Sequence, residues 1–136
     1  MSEVDKAWFA GIIDGEGCIS IYARSNHFVP SVKIGNTNEL LINNCKRILD
    51  EAGIEYFIRF NDRGDRNNAK PAWELCLESR PRVIAVLNMI YPYLVSKKAQ
   101  ADLILEWCGK SKRAKLDTES NFIPNIRLLN LRGRVK

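Results

Sequence analysis

Two carboxylates, Asp14 and Glu16, alternate with glycines at the end of the apolar, small-residue stretch WFAGIIDGEG at residues 8–17. If that stretch is a helix, the acids sit at its negative end, where an anion is disfavoured by about 0.3–1 kcal/mol. A cation should compensate. With carboxylate oxygens on offer and a single histidine in the chain, a hard divalent ion such as Mg²⁺ fits best.

The elements around this pair follow from spacing. Asp5 can cap a helix over residues 6–14, which Gly15 and Gly17 end. Alternation then predicts a strand from Cys18, with Ile19, Ile21 and Ala23 on one face and Ser20, Tyr22 and Arg24 on the other. Residues 25–27 read as a turn and residues 29–34 as the returning strand, with Ser31 and Lys33 on its polar side. Asn36 to Glu39 is a cap signal, and Leu41, Cys45, Ile48, Leu49 and Ala52 follow at helical spacing until Gly53. A second hairpin follows from residue 55, with Tyr56, Ile58, Phe60, Trp73, Leu75 and Leu77 inward and Phe57, Arg59 and Asn61 outward. Ser79 and Pro81 open a third helix to about Ile90, Tyr91-Pro92 breaks it, and Ser96 caps a fourth from Lys97 to about Cys108. Residues 110–136 read as a polar connection and a short last helix at 126–131. The order predicts an α+β domain, one unit over residues 1–136, with a four-stranded antiparallel sheet, helices on one face and a polar, basic face opposite.

Composition agrees. The 136 residues suit one domain, and 46% hydrophobic content suits one core. No apolar run is long enough to span a bilayer, and the N-terminal MSEVDKAWF lacks a signal-peptide pattern, so no membrane partner is expected. The location expected is intracellular, in a prokaryotic cytoplasm or an organelle. The cysteines, Cys18, Cys45, Cys76 and Cys108, show no paired metal-ligand spacing and read as reduced, mostly buried thiols. Lysine and arginine exceed the acids by 21 to 16, a net charge of +5 that favours an anionic partner. The basic residues cluster at Arg59, Arg63, Arg66 and Lys70, at Lys97 and Lys98, and in the segments 110–113 and 132–136, a distribution suited to nucleic acid.

The stretch FAGIIDGEG at residues 9–17, followed by ββα twice, resembles the LAGLIDADG homing endonucleases. Phe9 and Ile12 stand for leucines, Gly15 for alanine and Glu16 for the second aspartate, while residues 91–103 resemble the family's lysine-bearing late segment. The resemblance implies the αββαββα fold with a DNA-binding saddle, its motif helix at 6–17. Only one copy of the motif is present, so it also implies a homodimer, with Ala7, Ala10 and Gly11 letting two motif helices approach closely. The implied activity is metal-dependent hydrolysis of one phosphodiester per strand of a long, pseudo-palindromic double-stranded DNA site, leaving short 3′ overhangs. Mg²⁺ is the implied cofactor, with Mn²⁺ as a substitute and Ca²⁺ supporting binding without cleavage. The alternative is an intron RNA maturase, or a non-cleaving DNA-binding protein, using the same basic saddle.

By that resemblance Glu16 is the catalytic metal ligand, with the Gly15 carbonyl beside it, and Asp14 supports the helix end or the metal's outer shell. Lys97 matches the family's basic residue near the reacting phosphate, with Lys98 as the other register. Asn36 and Asn38 fit either water positioning or helix capping. Relatives can carry an extra basic residue where Leu41 and Ile42 stand here. On the open face of the sheet, Ser20, Tyr22, Arg24, Asn26, Ser31, Lys33, Arg59, Asn61, Arg63, Arg66, Lys70 and Glu74 could read base edges in a major groove. Lys98, Lys110, Lys112 and Arg113 would hold phosphates, and His27 reads as a phosphate or solvent contact.

Overall fold

The computed structural model describes residues 2–24, 27–61, 71–109 and 125–130. Helix α1 (Glu3–Glu16) starts one turn earlier than expected, because the Ser2 hydroxyl accepts the Asp5 amide at 3.1 Å. Asp5 is therefore not the cap. It lies in the first turn and pairs with Arg47 at 2.8 Å, and that guanidinium holds its carboxyl below the usual aspartate range.

Strands β1 (Gly17–Arg24) and β2 (His27–Asn36) form the first hairpin, and β3 (Phe57–Asn61) and β4 (Ala72–Glu78) the second. The hairpins join through β2 and β4, giving an antiparallel four-stranded sheet in the order β1-β2-β4-β3. Between them, α2 (Glu39–Ala52) is capped by Asn38, whose side chain accepts the Leu40 amide at 3.0 Å. Asn36 in turn accepts the Asn38 amide at 2.7 Å, so both asparagines serve the helix start. Gly53 stops α2 with φ +70°, a conformation that glycine adopts freely.

Ser79 caps α3 (Arg80–Ile90), and a 3-10 turn (Tyr91–Tyr93) leads to α4 (Lys98–Cys108). Ser96 does not cap α4; its hydroxyl turns instead to the Asp14 carbonyl at 3.4 Å. Residues 125–130 are helical. Of the expected turn at residues 25–27, His27 instead opens β2, while residues 25–26, 62–70 and 110–124, which include the start of the expected polar connection, lie outside the described residues.

The four main helices cover one face of the sheet. Phe9, Ala10 and Ile13 of α1 meet Ile19, Ile21, Val32, Ile34, Leu75 and Leu77 in a dry core completed by Ile48, Leu87, Ile104 and Trp107. Burying each of the Val, Ile, Leu and Phe side chains among them contributes roughly 1.5–3 kcal/mol. Phe60 departs from its expected inward place. It is 57% exposed near the end of β3 and packs on Trp73 with ring centres 5.3 Å apart. The fold is thus the expected α+β arrangement, helices on one side and a polar sheet face on the other.

Candidate active site and nucleic-acid interface

Helix α1 runs into β1 with no connecting loop. Gly17 makes this possible: its amide donates to the Ile13 carbonyl, and a Cβ there would lie 2.9 Å from the Ile13 Cα and carbonyl oxygen. Glu16 is therefore the last helical residue, held at the junction and exposed. Among the described residues its carboxylate has no hydrogen-bond or ion-pair partner.

Asp14 is occupied differently. Its two carboxylate oxygens accept the Val95 amide at 2.9 Å and the Lys97 amide at 3.0 Å, which fixes the chain before α4 against the end of α1. The Lys97 ammonium donates to the Asp14 carbonyl at 2.7 Å. The negative end of α1 thus receives its cation from within the chain.

A hollow of about 270 Å³ opens at this junction, lined by Gly15, Glu16, Gly17, Cys18, Lys97, Gln100 and Asn130. It unites the expected Glu16, Gly15 and Lys97. Lys98 stands apart, its ammonium 4.9 Å from the centre of the Tyr91 ring. Sequence reasoning missed Gln100 and Asn130. Gln100 is buried on the same face of α4 as Ala101 and Ile104, and a polar residue at an apolar position was the available signal. Asn130 donates to the Ile19 carbonyl at 3.0 Å and accepts from Gln100 at 3.5 Å. No group of three or more histidine, cysteine or acidic side chains gathers among the described residues. One chain therefore offers a cation Glu16 and the Gly15 carbonyl, a partial oxygen set suited to Mg²⁺ or Ca²⁺ that needs further ligands.

Another feature of α1 concerns its outer side. Val4, Ala7, Gly11 and Gly15 are exposed, and a Cβ at Gly11 or Gly15 would meet nothing within 4 Å. The chain's own packing gives no reason for glycine there, although glycine costs a helix about 1 kcal/mol relative to alanine. Ala10, expected beside Ala7 and Gly11, instead points into the core with no exposed surface.

On the sheet, cross-strand partners share a face. Register places Ser20, Tyr22, Arg24, His27, Ser31, Lys33, Arg59 and Glu74 together on the face away from the helices. Ser31 is 2% exposed, too buried for the base contact expected of it. The Arg24 and Lys33 cations lie 5.6 and 5.3 Å from the Tyr22 ring centre, and Arg59 lies 5.1 Å from that of Phe57. Asn61 is the last residue of β3. Asn26, Arg63, Arg66, Lys70, Lys110, Lys112 and Arg113 fall outside the described residues. Sequence reasoning also missed Glu78, to which Tyr22 donates on this face.

A model of the LAGLIDADG-like domain matches residues 3–101, most of the chain. The chain belongs to the LAGLIDADG family. Like the single-motif members it carries one copy of the motif, at α1. Among curated proteins it is similar to an uncharacterised protein of Methanocaldococcus jannaschii, 38% identical over 52 residues. That match covers 38% of this chain and spans 20% of the length of the relative. Among solved structures, this LAGLIDADG chain is similar to the homing endonuclease I-CvuI in complex with I-CreI target DNA. The TM-score is 0.73 at 23% identity, covering 93% of this chain and 82% of that one. The archaeal intron-encoded homing endonuclease I-Vdi141I, in complex with DNA, gives 0.68 at 16% identity, with 94% and 83% covered. At these identities the likeness is one of fold, the homing-endonuclease fold. No helix among the described residues is long and apolar enough to cross a membrane.

Proposed function

We propose that this LAGLIDADG protein is a homodimeric, divalent-metal-dependent, site-specific endonuclease. In this reading it binds a long, pseudo-palindromic duplex and hydrolyses one phosphodiester in each strand, leaving short 3′ overhangs. The observation that carries the reading is the junction of α1 and β1, where Glu16, exposed and without a partner among the described residues, shares a hollow with Lys97 beside a polar, basic sheet face. Packing gives no reason for an acid at that place. The solved relatives I-CvuI and I-Vdi141I were crystallised on DNA, and I-CvuI with Mg and with Ca, which supports the same partner and ion class here.

The roles divide by environment. Glu16, with the Gly15 carbonyl, would hold Mg²⁺; Asp14 is a positioning residue, its oxygens already committed to main-chain amides. Bound divalent ions supply activated water and charge stabilisation at the leaving oxygen. Lys97 places a positive charge where a phosphate would enter the hollow. The bare outer side of α1 supports the dimer, since a second copy approaching along Ala7, Gly11 and Gly15 would bring its own Glu16 close. Two such carboxylates repel unless a cation lies between them. Ser20, Tyr22, Arg24, Lys33, Arg59 and Glu74 would read base edges along the major groove.

The test is cleavage of a plasmid library carrying candidate intron insertion sites, with Mg²⁺ or with Ca²⁺. Site-specific double-strand cuts with Mg²⁺ and binding alone with Ca²⁺ are expected. Tight, site-specific binding that never leads to cleavage would contradict the nuclease reading in favour of a DNA-binding protein.

A further inference from the structure

Glu78 ends β4 opposite Ser31 of β2, and its side chain is 4% exposed. Tyr22 and Arg24 of β1 both donate to its Oε2, Arg24 at 3.2 Å. On the other side, Lys33 Nζ of β2 and Arg59 Nη2 of β3 each stand 3.8 Å from Oε1. That oxygen is buried and makes no hydrogen bond among the described residues. One carboxylate thus collects groups from every other strand of the sheet.

Stability alone gives a poor reason for this arrangement. A buried carboxylate with an unfilled acceptor is unfavourable, and a well-packed apolar residue in its place is often neutral or better. The surroundings give another reason. Arg24, Lys33 and Arg59 are crowded on one face, where their mutual repulsion would spread them into solvent; the buried anion draws them inward. Charge that is free to move binds any phosphate, and such counterion-release binding is indifferent to sequence. Base readout requires side chains held in register with the groove.

We propose that Glu78 is a positioning and specificity-determining residue of the DNA-reading face. Its carboxylate holds Arg24, Lys33 and Arg59 in one array and withholds part of their charge from phosphates, so that sequence outweighs charge in binding. The inference rests on the DNA-binding reading above.

The experiment selects a preferred duplex from a random-sequence pool with the wild-type protein in Ca²⁺. Affinity for that duplex and for mixed-sequence duplex DNA is then measured across a KCl series. For Glu78→Gln the preference for the selected duplex should fall at least tenfold, mixed-sequence affinity should rise about tenfold, and the log–log salt slope should steepen by about one. Glu106→Gln, which removes the same formal charge from an exposed position on α4, should leave preference and slope within about twofold of wild type. Should Glu78→Gln fail to fold, Glu78→Asp carries the test: the carboxylate retracts by one methylene, so preference should fall with the slope unchanged. A folded Glu78 variant with wild-type preference, or an equal loss in Glu106→Gln, would overturn the role of Glu78. A wild-type protein that binds no duplex would remove the DNA-binding reading itself.

Discussion

Asp14 and Lys97 hold each other twice: the Lys97 amide donates to the Asp14 carboxylate at 3.0 Å, and the Lys97 ammonium donates to the Asp14 carbonyl at 2.7 Å. This clasp joins the end of α1 to the start of α4, residues 83 positions apart. It resolves the unfavourable acid at a helix C-terminus, since the cation comes from the same chain. Among the described residues it also leaves Glu16 as the acid of the motif without a partner.

Asp14→Ala strands the Val95 and Lys97 amides at a partly exposed carboxylate, where each hydrogen bond contributes about 1 kcal/mol. A loss of about 2 kcal/mol in urea unfolding is expected, together with at least a tenfold fall in cleavage rate as Lys97 loses its anchor. Asp14→Asn keeps one acceptor and should lose about half as much stability. Wild-type stability in Asp14→Ala would show that the clasp is not a structural joint.

The two glycines nearest Glu16 should respond oppositely to alanine. At Gly17 the added Cβ meets Ile13 backbone at 2.9 Å, and such overpacking costs about 1–3 kcal/mol. At Gly15 it meets nothing, and helix propensity predicts no loss of monomer stability or a gain of up to about 1 kcal/mol. Urea unfolding of both variants at concentrations below dimerisation reads the difference directly.

If the chain dimerises along α1 as proposed, Gly11→Leu should yield a monomer in sedimentation experiments while leaving the far-ultraviolet circular dichroism unchanged, because the leucine faces outward from α1. A dimer that persists would remove α1 from the interface.

The Tyr22 hydroxyl is pushed up to about 12, first by burial and then by its hydrogen bond to Glu78 and that residue's charge. The folded state therefore holds this proton more tightly than the unfolded chain, where tyrosine titrates near 10. The sign is definite: the stabilisation is complete below about pH 10 and is lost as pH rises through about 12. In a phenolate absorbance titration, Tyr22→Phe should remove the component near pH 12, and Glu78→Gln should shift it downward.

Burial also pushes the thiols of Cys45 and Cys76 up to about 12 and of Cys108 to about 11. Only Cys18 is exposed. Iodoacetamide should therefore alkylate Cys18 in the native protein and the other three only after denaturation, as mass spectrometry would show.

Local signals made much of this fold legible. Asn38 and Gly53 bound α2 by chemistry that operates within a few residues, and the alternation of Ile19 and Ile21 with Ser20 and Tyr22 is a property of any strand half-buried on a core. Where distant partners decide, the reading went astray. Ser2 and Asp5 are both capable caps, and Arg47 of α2 takes Asp5 away. Ser96 looked like a cap until Asp14 drew its hydroxyl aside. Glu78 went unnoticed, because its burial depends on side chains from Tyr22, Lys33 and Arg59 that only the sheet assembles. Gln100 and Asn130 meet across 30 residues, at the site where Glu16 was already in view. The motif pointed to the junction of α1 and β1, and the tertiary structure supplied that junction's neighbours.

In the proposed mechanism Glu16 is the metal-holding acid of a DNA endonuclease. That role is tested most directly by comparing wild type and Glu16→Gln on a plasmid bearing the selected site, with cleavage followed in Mg²⁺ and binding in Ca²⁺. The variant should lose cleavage by a factor of about 10²–10³ or more, the scale expected when a key electrostatic group is removed, while its DNA affinity stays within a few fold of wild type. A Glu16→Gln protein that cuts at the wild-type rate would contradict that role.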